Sequence, residues 1–119
     1  MALKSYKDLE TWKKAMDLVE EIYRIAAVLP KEEMFGLKKQ MQDAAVSVPA
    51  NIAEGYGRLH RGDYVHHLSF SMGSLMELET HVLIAIRLHY YTEQKAEKAL
   101  SLVQETSKML TRLIQSLKP

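Results

Sequence analysis

The sequence predicts an all-α protein, an up-down-up-down antiparallel four-helix bundle, and three observations carry that prediction. Apolar residues recur at spacings of three and four through four long segments, the helical rather than the strand period. The segments match in length and are separated by turns of a few residues, which places consecutive helices antiparallel. Helix breakers are scarce: three prolines and five glycines in 119 residues, with four of the glycines between Gly36 and Gly62. One domain over residues 1–119 is expected, long enough to bury a single core without staples.

The first helix is expected over 9–29. Leu9, Trp12, Met16, Val19, Tyr23 and Ala26 form one apolar stripe, and Ala15, Leu18, Ile22 and Ile25 form a second beside it. An ordinary surface helix carries one stripe, so two imply contacts on two sides, with a second neighbour or a second subunit. Glu20 and Arg24 stand four apart in the favourable order for an ion pair, and Pro30 stops the helix. The second helix is expected over 34–56, with Leu37, Met41, Ala44, Val48 and Ile52 facing inward and Gly55 and Gly57 closing it. Pro49 lies inside it, removing one main-chain bond and leaving the Ala45 carbonyl without its usual donor.

The third helix, 63–88, opens on Asp63 as its expected cap. Leu68, Met72, Leu75, Val82 and Ile86 face inward, and Glu79 on the same spacing calls for a partner. The fourth, 92–117, is capped by Thr92 and has its seam at Ala96, Ala99, Val103, Leu110, Leu113 and Leu117.

Composition narrows function. The absence of cysteine removes disulfides, thiolate metal ligands and thiol nucleophiles, and fits a cytoplasmic protein. Charges interrupt every apolar run before the ~20 residues a membrane span needs, and MALKSYKDLE lacks the apolar centre of a signal peptide. Sixteen basic residues face fifteen acidic ones, so nucleic-acid binding would depend on a local patch rather than on the net charge of +1.

Enzymatic signatures are missing from the sequence. Asp63 with His66 or His67, and Glu77 with His81, are the nearest approaches to a metal set, but without the second Glu-x-x-His pair of a di-iron bundle they read as solvated pairs or caps. Ser47, Ser69, Ser71 and Ser74 stand outside any nucleophile elbow and read as small residues that let helices approach. Met16, Met41 and Met72 read as core filler. No cofactor and no metal are expected. The concentrated basic feature is Arg58, His60 and Arg61, joined by Lys38 and Lys39; cations after a helix C-terminus also offset its dipole, and Lys39 can pair with Asp43.

The string Phe35-Gly36-Leu37, Gln40, Ala44-Ala45-Val46-Ser47-Val48-Pro49-Ala50-Asn51-Ile52-Ala53-Glu54-Gly55 and Arg58, followed by Gly73-Ser74-Leu75 and Glu77-Leu78-Glu79-Thr80, closely resembles the four-helix-bundle proteins encoded in 23S rRNA intervening sequences. Leu9, Trp12, Ala15 and Tyr23 extend the likeness to about nine-tenths of the chain. The resemblance implies a ring-shaped homopentamer, and distant relatives that assist reverse transcriptases of diversity-generating retroelements and bind nucleic acid through basic surfaces. The chain departs from the family at Gln42 and Asp43, where a basic pair is common, which removes positive charge from that surface.

The expected function is therefore a non-enzymatic homo-oligomeric scaffold that contacts RNA or a ribonucleoprotein through Lys38, Lys39, Arg58, His60 and Arg61, its partners being its own copies and RNA or a nucleic-acid-handling protein. The alternative is a protein-protein adaptor or structural oligomer with no nucleic-acid affinity. Ser47, Pro49, Asn51, Glu54, Gly55, Glu77 and Glu79 are read as polar and small contacts at a bend or subunit seam.

Overall fold

The computed structural model describes residues 4–119 and places four α-helices, α1 Glu10–Ala26, α2 Leu37–Tyr56, α3 Arg61–Arg87 and α4 Glu93–Leu117, with no strand among the described residues. Each helix packs on its chain neighbours, and α4 closes back on α1, giving a four-cornered bundle 45 Å long. Leu18, Ile22, Ile25, Met41, Val48, Ile52, Leu68, Leu75, Leu78, Val82, Val103 and Leu110 fill its interior with no exposed surface.

The ends of the elements differ from the sequence expectation by a few residues, each for a local reason. α1 stops at Ala26 because Val28 and Leu29 tighten into turns whose amides bond the Ile25 and Ala26 carbonyls. Residues 31–33 form a separate 3-10 turn, and the Glu33 carboxylate accepts from the Leu37 amide at 3.1 Å, so α2 begins at Leu37 rather than at 34. α2 is helical without a break across Pro49. α3 starts two residues before Asp63, with His60 at the cap position; Asp63 instead lies in the first turn, where its charge suits the positive end of the helix. Thr92 does cap α4, accepting the Lys95 amide at 3.0 Å.

The two stripes of α1 are buried unequally: the first keeps only its ends, Leu9 and Ala26, in the core. Ala15, Leu18, Ile22 and Ile25 are the buried set, whereas Met16 and Tyr23 are exposed and Trp12 and Val19 only half-buried. Met16 is thus not core filler. The expected Glu20–Arg24 pair is also replaced: Glu21, buried between α1 and α4, holds Arg24 through hydrogen bonds of 2.9 and 2.6 Å, with Lys98 at 3.9 Å. The i,i+3 partner gives the buried carboxylate the hydrogen bonds that Lys98, at 3.9 Å, does not supply.

At the end where α2 begins, two tyrosines pin the α3–α4 turn. Tyr90 donates to Glu33 at 2.9 Å, a bond that raises its phenol above the ordinary value. The buried Tyr91 hydroxyl donates to the Ile25 carbonyl, and burial pushes that phenol far upward. His89, between them and α3, takes the left-handed conformation at φ 64° that reverses the chain.

Candidate nucleic-acid interface and the polar seam behind it

The α2–α3 hairpin shapes the region the sequence singled out. Gly55 is buried, and a Cβ there would lie 2.8 Å from the His67 Cβ and 3.0 Å from the Tyr64 ring. Its purpose is close approach of two helices rather than helix termination. The closing residue, Gly57, keeps an ordinary helical φ of −78°.

Where the helices come together, short polar side chains reach across. Ser47 Oγ and Ser74 Oγ are 2.7 Å apart, and buried Ser71 donates to the Val48 carbonyl at 2.7 Å. The donor near the proline therefore serves Val48 and not the Ala45 carbonyl. Asn51 Nδ2 donates to both the carbonyl and the hydroxyl of Ser47 at 3.0 Å, and its Oδ1 lies 3.2 Å from Nδ1 of His67. His67 Nε2 in turn faces Glu54 Oε1 at 3.9 Å, and Arg58 donates to that same oxygen at 2.8 Å. A polar seam thus runs by hydrogen bonds from Ser74 through Ser47 and Asn51 to His67, and across a 3.9 Å gap to the Glu54–Arg58 pair. Beyond it Tyr56 and Tyr64 meet edge to face with centroids 6.0 Å apart, and burial, then Tyr56, raises the Tyr64 phenol.

Farther along α3, Glu77 accepts from or faces His81 Nε2 at 3.2 Å, so that pair forms as expected, but His81 is buried rather than solvated and its Nδ1 has no partner. Glu79 is half-buried beside α4 and, among the described residues, makes no hydrogen bond or ion pair. The partner its spacing called for does not come from the described residues.

The five expected basic residues do not form one patch. Lys38 and Lys39 sit in the first turn of α2, and Arg58 follows its last, some 28 Å along the helix at 1.5 Å per residue. Lys39 is also held by Asp43 at 2.7 Å, a hydrogen bond that raises its pKa. Arg58, His60 and Arg61 do share the α2–α3 tip, around a Leu59 side chain that is 96% exposed. Among the described residues no carboxylate pairs with His60 or Arg61. The up-down path starts α1 and ends α4 at this level, which brings Lys4, Lys7, Arg112 and Lys118 to the same end of the bundle. Sequence reasoning missed those four cations, although alternating helix direction alone places them there. Opposing charges at this end are Asp8, Glu10, Glu54 and Asp63.

Among the described residues, no three His, Asp or Glu side chains come close enough to hold a metal ion, and no helix is long and apolar enough to cross a membrane. Fold and site together define a four-helix-bundle protein with a polar inter-helix seam ending in a basic tip. The family model described as "23S rRNA-intervening sequence protein" matches residues 7–112, and the chain belongs to that family. A solved structure from Bacteroides thetaiotaomicron, described as a protein of unknown function from the S23 ribosomal protein family, is similar in fold, with a TM-score of 0.81 and 24% identity over 87% of this chain and 97% of that one. No protein of curated function matches the chain.

Proposed function

We propose that the protein is a non-enzymatic, homo-oligomeric helical bundle that contacts structured RNA, or an RNA-protein particle, through the α2–α3 tip. The observation that carries this reading is the projection of His60 and Arg61, free of carboxylate partners among the described residues, next to Arg58 at the end of the bundle where the terminal lysines also gather. Such cations release counterions when they meet phosphates, so binding is recognised by its salt dependence. Family membership points the same way, since the family takes its description from an intervening sequence of 23S rRNA. Lys38 and Lys39 belong to a separate surface at the opposite end.

The test is binding of a labelled RNA hairpin across a salt series. Arg61→Gln should reduce the slope of log affinity against log salt by roughly 0.7–1, the loss of one phosphate contact. An unchanged slope in Arg61→Gln and in the Arg58→Gln/Arg61→Gln double variant overturns the tip assignment.

The second reading, an adaptor or structural oligomer without nucleic-acid affinity, is favoured by apolar side chains left on the outside. Phe70, Met76, Leu83 and Ile84 on α3 and Met16 and Tyr23 on α1 are exposed in the single chain, and packing between copies would cover them. Sedimentation of the purified protein measures the assembly, for which the family resemblance implies a pentamer.

A further inference from the structure

We propose that His67 is a proton-operated control on the tip: a proton taken up at its Nε2 gives Glu54 a second cation and releases the Arg58 guanidinium to an RNA phosphate. The inference rests on the tip reading above and adds its regulation.

The hydrogen-bond chain determines which ring nitrogen is available. The Ser47 carbonyl can only accept, so the Asn51 atom bonded to it is the amide nitrogen, and the atom turned toward His67 is the carbonyl oxygen. That oxygen too can only accept, so His67 Nδ1 must donate. Neutral His67 therefore keeps its proton on Nδ1 and presents a lone pair at Nε2, toward Glu54 Oε1 at 3.9 Å. The ring is held in the seam with its side chain 14% exposed, whereas Glu54 and Arg58 are 56% and 47% exposed and free to turn.

The balance of charge sets the direction. With His67 neutral, Glu54 and Arg58 cancel; with His67 protonated, the trio carries +1, and the oxygen that accepts from Arg58 gains a fixed competitor. An exposed Arg–Glu pair is weakly held to begin with. The other groups around His67 do not offset this. On its own helix, Asp63 is exposed and outside ion-pairing distance of the ring, Tyr64 is a neutral phenol, and His66 packs its ring against Phe70 at 4.5 Å. α2 contributes Glu54, Arg58 and Tyr56, and α4, whose register is marked by the Ser107–Met72 contact, carries exposed Arg112 at this level. Histidine is the side chain suited to respond between about pH 5 and 8.

Two measurements on the full chain decide the matter. In 15N NMR, neutral His67 should show the Nδ1–H tautomer, and the Arg58 side-chain resonance should shift together with the His67 titration between pH 8 and 5. An Nε2–H tautomer, or an Arg58 resonance indifferent to His67, overturns the proposal. With a labelled RNA hairpin, the extra phosphate contact should widen the affinity span between 50 and 200 mM salt by about threefold at pH 5.5 relative to pH 7.5. Glu54→Gln, a surface change with circular dichroism as the folding control, should show the steeper salt dependence already at pH 7.5 and lose the step. A pH step of the same size in Glu54→Gln assigns it to His60 or His66 and overturns the proposal. Coupled NMR titrations in a protein that binds no hairpin at any pH support the release of Arg58 and refute the RNA reading, so the two failures are distinguishable.

Discussion

The α2–α3 and α1–α4 seams close the same bundle by different means. Between α2 and α3, a buried glycine lets the backbones approach, and serine and asparagine side chains bond across the gap at 2.7–3.2 Å. The buried residues of α1 and α4 are instead mostly Leu, Ile, Val and Ala; Thr106 bonds back to its own helix at Leu102, and among the described residues the polar links between the two helices are long side chains, Lys14 to Glu105 at 3.0 Å and exposed Lys98 to buried Glu21 at 3.9 Å. Short polar groups can cross only where helices nearly touch. A seam filled by branched aliphatics is non-directional, and one stitched by hydroxyls and amides sets helix register, which the α2–α3 seam needs in order to aim His67 at Glu54.

The largest effect should come from the aliphatic seam. Leu18→Ala leaves a cavity in the middle of α1, where Leu18 has no exposed surface, and should cost about 2–5 kcal/mol in urea unfolding. A loss well below that range would mean that α1 is not held by volume, and the contrast between the seams would fail. Gly55→Val tests the other side. Its branched side chain would meet His67 and Tyr64 closer than van der Waals separation, and pushing the helices apart should cost about 1–3 kcal/mol. NMR of this variant should also show the Asn51–His67 hydrogen bond broken, a change of register that Leu18→Ala has no reason to produce.

Much of the fold was legible in the sequence: the number of helices, the Thr92 cap and the inward faces of α2 and α4 follow from periodicity and turn chemistry. The choice between the two α1 stripes was not, because both repeat with the helical period and only the positions of α2 and α4 decide which is buried. The site was less legible. Asp63 and His67 look like partners because they are four apart on one helix, yet His67 bonds Asn51, sixteen positions away. A signal did exist: in a tight antiparallel hairpin, residues equidistant from the turn face each other, and Asn51 and His67 each stand eight from Leu59. Charge alone groups Lys38 and Lys39 with Arg58, and helix rise separates them.

Tyr91→Phe sharpens the comparison at the bundle end, where an aromatic hydroxyl rather than a helix face ties α1 to the α3–α4 turn. Loss of its bond to Ile25 should cost about 1 kcal/mol at pH 7. Burial raises this phenol, so the folded chain keeps its proton above pH ~10 while the unfolded chain releases it. Stability unaffected by this group below that pH is therefore lost as pH rises further. Urea unfolding at pH 7 and pH 11 should show a shallower alkaline loss in Tyr91→Phe than in the parent; equal losses would mean that the Tyr91 hydroxyl does not stay protonated in the fold.

The smallest change bears on the face that neither seam uses. Gly73 lies on the outside of α3 among exposed Ser69, Met76, Thr80, Leu83 and Ile84, and a Cβ there meets nothing within 4 Å. In an isolated bundle, Gly73→Ala should stabilise by roughly 0.5–1 kcal/mol, because alanine loses less backbone entropy in a helix. The sign is opposite to that at Gly55, where the neighbouring helix occupies the space. If sister copies pack against this apolar face, Gly73 is a contact glycine of the same kind as Gly55, with its neighbour supplied by another chain. The added methyl would then lower the sedimenting mass even as it favours the helix. Velocity sedimentation and thermal unfolding of Gly73→Ala separate these cases: a more stable protein of unchanged mass removes the outer face of α3 from any assembly and leaves the exposed side of α1 as the surface to test.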